Sequence, residues 1–143
     1  MGNVRDILKA KNHPSITITP HITVYEALKI MVDNNIGALL VLEENKLVGI
    51  FTERDYARKV ILLGKTSKDT LISEIMSTNL ITITPDNSME DCMQLMTNKF
   101  IRHLPVLENN ELIGIVSIGD VVKYIINEQK FIIEHLEHYI KGR

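Results

Sequence analysis

The sequence predicts an α+β fold in which one unit of strand, helix, strand, strand and helix occurs twice. The first observation is a repeated segment, because Thr-Ile-Thr-Pro at residues 17–20 is written again at 82–85, an offset of 65 residues. The second is that this offset persists without a gap and relates residues 47–50 to 112–115. The third is that both copies carry the same hydrophobic pattern, first with the period of a strand and then with that of a helix. We therefore interpret the chain as a duplication.

Each copy is predicted to begin with a short strand. Residues 15–19 alternate between polar and apolar side chains and end at Pro20, and residues 81–84 do the same before Pro85. Proline has no backbone N–H to continue a strand, so both strands should end there. Further upstream the copies still correspond once three extra residues are allowed, with Val4, Ile7 and Leu8 answering to Ile72, Ile75 and Met76.

A helix that is buried on one side should follow each strand. Thr23 with Glu26, and Ser88 with Asp91, have the three-residue spacing of a capping box. Apolar side chains then recur at positions i, i+3, i+4 and i+7. They are Val24, Ala27, Leu28 and Met31 in the first copy, and Met89, Cys92, Met93 and Met96 in the second. We therefore expect Cys92 to pack in the core.

A hairpin and a second helix should complete each copy. Two apolar runs at 38–42 and 47–51 are joined by four polar residues, and residues 108–111 form the equivalent connection in the second copy. A helix is predicted to begin after Thr52 and again after Ser117. The last helix, from about Asp120 to Ile140, is longer than its counterpart and carries an apolar stripe past the end of the unit.

The two copies should form two domains, at residues 1–68 and at 69–143, the second with the extended C-terminal helix. One copy has three short strands and too little surface to bury, so we expect the domains to pack about a pseudo-twofold axis. Their junction should form two related clefts.

Composition excludes several classes of protein. The formal charge is −2, which gives no overall attraction to nucleic acid or anionic lipid. Apolar runs are shorter than a membrane span, and the first residues lack the apolar stretch of a secretion signal. The single Cys92 forms no internal disulfide. We therefore expect a cytoplasmic protein with neither a membrane nor a nucleic-acid partner.

Two segments could carry binding chemistry. Thr52 with Asp55, and Ser117 with Asp120, stand where a strand ends and a helix begins. Backbone N–H groups and the helix dipole favour an anion at that place. The same spacing is also a capping pattern, and capping alone would explain both copies. Spacing leaves both interpretations open.

Four segments together resemble a tandem pair of CBS domains, also called a Bateman module. They are Thr-Ile-Thr-Pro, Ile-Arg-His-Leu-Pro-Val at 101–106, Leu-Ile-Gly-Ile-Val-Ser-Ile-Gly-Asp-Val-Val at 112–122, and Phe-Thr-Glu-Arg-Asp-Tyr-Ala-Arg-Lys at 51–59. The resemblance covers nearly the whole chain. In detail it is similar to the stand-alone two-domain proteins of bacteria and plant organelles.

This resemblance implies a ligand and residues that hold it. Such pairs commonly bind AMP, ADP, ATP, NAD(H) or S-adenosylmethionine, with an aspartate on the ribose hydroxyls. A carboxylate can accept both hydroxyls of a cis diol. By resemblance, Asp55 and Asp120 are the ribose ligands, and Thr52 and Ser117 assist.

The resemblance also implies that the two sites are crossed between the copies. The first would combine Thr52, Arg54 and Asp55 with Thr82, Pro85, Ile101, Arg102 and His103. The second would combine Ser117 and Asp120 with Thr17, Pro20, Ile36, Gly37 and Ala38. Because Arg54, Arg102 and His103 are suited to phosphate, we expect nucleotide phosphates at the first site and a less charged group at the second.

The predicted function is that of an adenine-nucleotide sensor that acts through a protein partner or its own oligomer, with a homodimer formed through the last helix. An alternative is an oligomeric scaffold that binds no ligand. A third hypothesis, slow hydrolysis of a phosphate ester, would need His103. We expect no catalytic site, because no nucleophile or phosphate-loop motif occurs. We expect no metal site, because two histidines three residues apart on a helix, His135 and His138, are far more often surface residues than metal ligands.

Overall fold

The computed structural model describes residues 2–11 and 14–141. These residues form six α-helices and five strands. They are α1 (Val4–Lys11), β1 (Thr17–Ile18), α2 (Val24–Asn34), β2 (Ala38–Glu43), β3 (Lys46–Thr52), α3 (Glu53–Tyr56), α4 (Ile72–Ile75), α5 (Met89–Lys99), β4 (His103–Glu108), β5 (Glu111–Ser117) and α6 (Ile118–Lys141). The chain groups into two compact units, one of residues 14–81 with 109–112, the other of 2–11, 82–108 and 113–141. We refer to them as the first-repeat unit and the second-repeat unit.

The first-repeat unit contains a three-stranded sheet in the order β1-β2-β3. β1 runs parallel to β2, with Thr17 opposite Leu40, and β2 runs antiparallel to β3. The turn between β2 and β3 has two residues with positive φ, Glu44 at 52° and Asn45 at 64°. Two successive left-handed residues give the turn a twist that matches the strands it joins. The predicted hairpin is confirmed.

The second-repeat unit repeats this hairpin but has a weaker first strand. β4 and β5 pair, and Asn109 and Asn110 again have positive φ, at 53° and 65°. The predicted strand at 81–84 is reduced to a single parallel bridge between Ile83 and Val106. Pro105 explains the difference, because a longer ladder would need an N–H at that position and proline has none.

The two long helices start as predicted. Thr23 caps α2 and Ser88 caps α5, each through a reciprocal pair of hydrogen bonds with the acid three residues later. Both helices end at a residue in the left-handed region, Asn35 at φ 52° and Phe100 at φ 54°. Cys92 is fully buried, which confirms its predicted packing.

Apolar side chains from sheet and helices form the core of the first-repeat unit. Phe51 is completely buried and packs with residues of α2 and β2. Two residues of α4 belong to the same cluster, although α4 begins the second copy in sequence. The cluster consists of Ile18, Val24, Ala27, Met31, Leu39, Val41, Phe51, Val60, Ile72 and Ile75.

The leading segments of the two copies are exchanged between the units. In the second-repeat unit, α1 donates backbone hydrogen bonds from Val4 to Asn87 (2.9 Å) and from Arg5 to Pro85 (3.0 Å). In the first-repeat unit, Ile72 of α4 donates to Ile22 (2.9 Å). Each unit is therefore completed by the segment that precedes the other copy.

Two equivalent glycines lie against the exchanged segments. A side chain at Gly114 would lie 2.6 Å from a methyl group of Leu8, and one at Gly49 would lie 2.5 Å from the sulfur of Met76. Leu8 and Met76 are the residues that correspond in the sequence repeat. Gly49 and Gly114 thus leave room for the exchanged segment in each unit.

The second helices of the two copies differ in form. In the first copy α3 is short and continues as a π-helical turn, Ala57–Ile61. In the second copy α6 runs from Ile118 to Lys141, close to its predicted bounds, and its last two turns are exposed. Within the described ranges, none of the helices is long and apolar enough to cross a membrane.

Candidate functional site

Asp55 lies at the start of α3 and caps it. Its Oδ2 accepts hydrogen bonds from the Thr52 N–H (3.0 Å) and hydroxyl (3.2 Å), and its own N–H donates to Thr52 Oγ1 (3.2 Å). These bonds form a capping box at the junction of β3 and α3. The capping interpretation of this pair is therefore confirmed.

The second oxygen of Asp55 is also occupied. Its Oδ1 accepts the Ser77 hydroxyl at 3.0 Å and lies 3.3 Å from Lys59 Nζ. Lys59 in turn donates to the Ile75 carbonyl and to Ser77 Oγ, both at 3.2 Å. Asp55 is only 8% exposed. Both carboxylate oxygens are thus engaged inside the first-repeat unit, and little of the group faces solvent.

Asp120 has the equivalent position at the start of α6. Its Oδ2 accepts the Ser117 N–H at 2.8 Å, and its own N–H donates to Ser117 Oγ at 3.1 Å. The capping interpretation is confirmed here too. A different group neutralises the carboxylate, because Lys11 Nζ, at the end of α1, lies 3.0 Å from Oδ2. Lys11 also donates to the Ile115 carbonyl at 2.9 Å.

The two aspartates differ in accessibility. The side chain of Asp55 is 10% exposed and that of Asp120 is 21% exposed. Among the described residues, hydrogen bonds to Asp120 converge on Oδ2 and leave Oδ1 unused, whereas both oxygens of Asp55 accept. A ligand with donor hydroxyls would therefore meet less competition at Asp120.

Two residues predicted for the other site, Gly37 and Ala38, lie beside the Thr52–Asp55 cap in the first-repeat unit. Ala38 pairs with Thr52 across β2 and β3, and the Gly37 carbonyl accepts the Glu53 N–H at 3.2 Å. Ile36 is half-buried and Arg54 is exposed. Thr17 and Pro20 belong to β1 and the turn after it, where the buried Pro20 accepts a hydrogen bond from Ser73 through its carbonyl.

The second-repeat unit has the same arrangement around Asp120. The Arg102 carbonyl accepts the Ile118 N–H at 2.9 Å, as Gly37 accepts Glu53 in the first copy. Thr82 and Arg102 are exposed, Ile101 and His103 are half-buried, and Pro85 is buried. Each unit thus brings the start of its own hairpin next to its own aspartate. The predicted crossed pairing of these residues stays a prediction.

The first-repeat unit also contains an open groove of about 450 Å³ beside the end of α2. Its lining includes Ile36 and Gly37, which belong to the second predicted site, and Glu53. A smaller groove of about 300 Å³ in the second-repeat unit lies along α5 and contains none of the predicted residues. Asp55 and Asp120 line neither groove.

Sequence reasoning missed three groups that contact the aspartates. Lys59 follows Asp55 by four residues, a spacing that brings side chains together on a helix, so it could have been found. Ser77 and Lys11 could not, because both come from the exchanged segments and are distant in sequence from the carboxylates they contact.

The two histidines of α6 do not belong to a cluster of possible metal ligands among the described residues. His135 stacks on Phe131, with ring centroids 6.1 Å apart. Across residues 2–11 and 14–141 there is no group of three or more histidine, cysteine or acidic side chains able to hold a metal ion.

Comparison with known families gives two matches within this chain. The model of the CBS domain matches residues 4–61 and again residues 72–127. These segments correspond to the two copies of the sequence repeat, and together they cover most of the chain.

Two curated relatives resemble the chain over most of its length. A mitochondrial CBS domain-containing protein of Arabidopsis thaliana, CBSX3, is 42% identical over 148 residues, covering 97% of this chain and 72% of the plant protein. The CBS domain-containing protein YhcV of Bacillus subtilis is 38% identical, covering 85% of this chain and 84% of the bacterial one.

Solved structures share the fold. A Burkholderia ambifaria protein with CBS domains is 46% identical with a TM-score of 0.85, covering 89% of this chain and 96% of that one. The CBS domain pair of protein MJ0100, solved with 5′-methylthioadenosine and S-adenosyl-L-methionine, is 32% identical with a TM-score of 0.78, covering 90% and 98%. A hexameric CBS-CP12 protein from bloom-forming cyanobacteria is 28% identical with a TM-score of 0.74, covering 84% and 66%.

Proposed function

The chain belongs to the CBS-domain family, and from that premise we propose that it is a regulatory module that binds an adenosyl ligand. The proposal includes the site residues named from the sequence, with Asp55 and Asp120 as the two acceptors for ribose hydroxyls. AMP, ADP, ATP, NAD(H) and S-adenosylmethionine are the candidate ligands.

The observation that most supports this function is the repetition of one arrangement. In both units a residue with a side-chain hydroxyl ends the hairpin, and an aspartate three residues later caps the helix that follows. The first N–H of that helix donates to the carbonyl of the residue just before the hairpin. A carboxylate held rigidly by capping bonds is suited to receive the two hydroxyls of a ribose. The MJ0100 pair, 32% identical, was solved with two ligands that both contain an adenosyl group.

Ligand binding would change the module through differential affinity. A ligand that binds one conformation more tightly shifts the population toward it, and a protein partner can read that shift.

A thermal-shift titration with AMP, ATP, NAD(H) and S-adenosylmethionine tests the function. At a ligand concentration of about 100 Kd the stabilisation is roughly 2.7 kcal/mol, a melting shift of several degrees for a chain of this size. Replacing Asp120→Asn or Asp55→Asn preserves side-chain shape and should remove the shift contributed by that site. Asp33→Asn, an exposed position on α2, is the matched control and should leave the shift unchanged.

Two results would contradict the proposal. One is the absence of any melting shift across the four ligands. The other is a shift that survives in both aspartate variants, which would place binding at residues other than those named.

The exposed face of α6 favours a second candidate, an oligomeric scaffold. Ile133 is 55% exposed and Ile140 is 68% exposed, on a helix whose last two turns are exposed throughout. Apolar residues at this density on a helix surface are characteristic of contact with another protein surface. In this alternative the protein assembles through α6 and requires no ligand.

A further inference from the structure

We infer that Lys11 is a specificity residue of the Asp120 site and recognises an anionic group of the adenosyl ligand. This inference rests on the proposed function and adds to it the chemical class of ligand that this site prefers. It differs from the expectation drawn from sequence, in which cationic groups occur only at the site of Arg54, Arg102 and His103.

Lys11 is held close to the ribose acceptor and still has a donor to offer. An ammonium group has three N–H donors. One is directed to Asp120 Oδ2 at 3.0 Å and one to the Ile115 carbonyl at 2.9 Å. The third has no acceptor among the described residues. The side chain is 20% exposed, so it is partly open to solvent.

Lys59, the cation beside Asp55, has no N–H donor left for a ligand. Its ammonium lies within 3.3 Å of three acceptors, the Ile75 carbonyl, Ser77 Oγ and Asp55 Oδ1. All three donors are therefore used inside the first-repeat unit. The two copies have similar ion pairs, but only the pair of Lys11 and Asp120 has bonding capacity left on both partners.

The chemistry of a nucleoside connects the two groups. In a ribonucleoside the 5′ substituent is attached through C4′, the ring carbon next to C3′, so a ligand whose hydroxyls bind Asp120 carries that substituent near the carboxylate. A phosphate there would accept a charge-assisted hydrogen bond from Lys11. Because the lysine is already tied to Ile115, less side-chain entropy is lost when the ligand binds. A neutral 5′ group gains nothing comparable, and a sulfonium cation would be repelled.

The test compares AMP with adenosine, which differ by the phosphate alone. Calorimetric titration of the full chain should give a Lys11→Met variant that binds AMP about tenfold more weakly, the loss of one partly exposed charge-assisted bond. Its affinity for adenosine should change by less than about twofold. Lys11→Arg should retain most of the AMP preference, and Lys11→Gln should lose it as Lys11→Met does.

A matched control comes from the same helix. Lys9 is exposed on α1, so Lys9→Met removes the same charge without touching Asp120 and should leave the ratio of the two affinities unchanged. The melting temperature of each variant, measured beside its titration, separates a binding defect from loss of folding. If Lys11→Met does not fold, Lys11→Gln replaces it in the comparison of AMP with adenosine.

The outcomes separate this inference from the proposed function. Equal weakening of AMP and adenosine in Lys11→Met would mean that Lys11 only ties α1 to α6, which overturns the inference. So would unchanged AMP binding in Asp120→Asn. If the unmodified protein binds neither compound nor any adenosyl ligand, the proposed function itself is wrong.

Discussion

Asp91 stabilises the start of α5 through bonds that depend on its charge. Its Oδ2 accepts hydrogen bonds from the Asn87 amide and from the Ser88 N–H, both at 3.0 Å. The Asn87 bond, followed by the Ser88 bonds, lowers the pKa of Asp91 below its ordinary value of 3.8. An acid whose pKa is depressed by folding contributes stability above its unfolded pKa and loses it as pH falls through the folded value.

We predict a pH-dependent effect of Asp91→Asn. At pH 7 the variant should unfold at a lower urea concentration than the unmodified protein, because the charge-assisted cap is weakened. Below pH 3.8 the two midpoints should converge as the carboxylate of the unmodified protein is protonated. Glu90→Gln, which removes an exposed acid from the same first turn, is the control. A difference in midpoint that stays constant from pH 7 to pH 2.5 would contradict the assigned role.

Local residue pairs were predictable from sequence and distant ones were not. The capping pairs at Thr23, Thr52, Ser88 and Ser117 follow from a three-residue spacing, which fixes their geometry once a helix begins. The contact of Lys11 with Asp120 spans 109 positions and follows from packing alone. The spacing of the aspartates could not show whether they bind ribose, because an aspartate that caps a helix can also accept hydrogen bonds from a ligand.

At the scale of elements, α6 has the pattern of an association helix. Ile125, Ile132 and Tyr139 recur every seven residues, and so do Ile126, Ile133 and Ile140. A heptad repeat of apolar residues on an exposed helix is typical of helices that pack against each other. The stripe lies along the exposed end of α6, where Leu136 is 55% exposed.

We predict that Ile133→Glu converts an oligomer of this protein to a smaller species. A carboxylate in an apolar helix contact is desolvated without a partner, so association should weaken by at least tenfold. Sedimentation equilibrium measures the change. Lys130→Glu introduces the same side chain at an exposed polar position of α6 and should leave the mass unaltered. An unmodified protein that is monomeric at all concentrations would exclude the helix as an association surface.

Element boundaries were predicted best where one local rule decides them. The apolar runs place both hairpins correctly, although each connection has two residues with positive φ where four polar residues were predicted. The second copy's first strand was overestimated, because the residue that limits its ladder, Pro105, lies in the partner strand. The π-helical turn at Ala57–Ile61 has no counterpart in the pattern of apolar residues and was not foreseen.

At the scale of the whole molecule, the exchanged leading segments decide which residues stabilise which unit. Ile7 of α1 and Ile75 of α4 correspond in the repeat, and each is 3% exposed. Ile75 packs in the core with the strands of the first copy. α1 bonds to the residues that precede α5 in the second copy. A substitution in the leading segment of one copy should therefore destabilise the unit that contains the strands of the other copy.

We predict that Ile7→Ala and Ile75→Ala destabilise opposite copies. Each removes a buried side chain at a cost of about 2–5 kcal/mol. Hydrogen exchange should become faster in α5 and β4 for Ile7→Ala, and in β2 and β3 for Ile75→Ala, because amides open with the unit to which they belong. The variants serve as controls for each other. Faster exchange confined to the copy that carries the substitution would refute the exchange of segments.

The duplication itself was visible in the sequence because both copies kept the same spacing of turns, caps and apolar residues. The exchange was not, since the repeat shows which segments correspond and not where they pack. The division at residues 68 and 69 describes the repeat, and the boundary between the two domains stays a prediction.

The exchange of segments also determines the order in which the two units can fold during synthesis. α1 is made before its hydrogen-bonding partners at Pro85 and Asn87, which follow about 80 residues later, and at common synthesis rates this delay is roughly 4 to 16 s. A helix of eight residues does not persist alone in water for lack of packing. α4, by contrast, emerges just after the strands that it covers. Residues 14–81 can thus fold while α1 still lacks its partners, so an element translated earlier than that unit is among the last to become part of a folded unit.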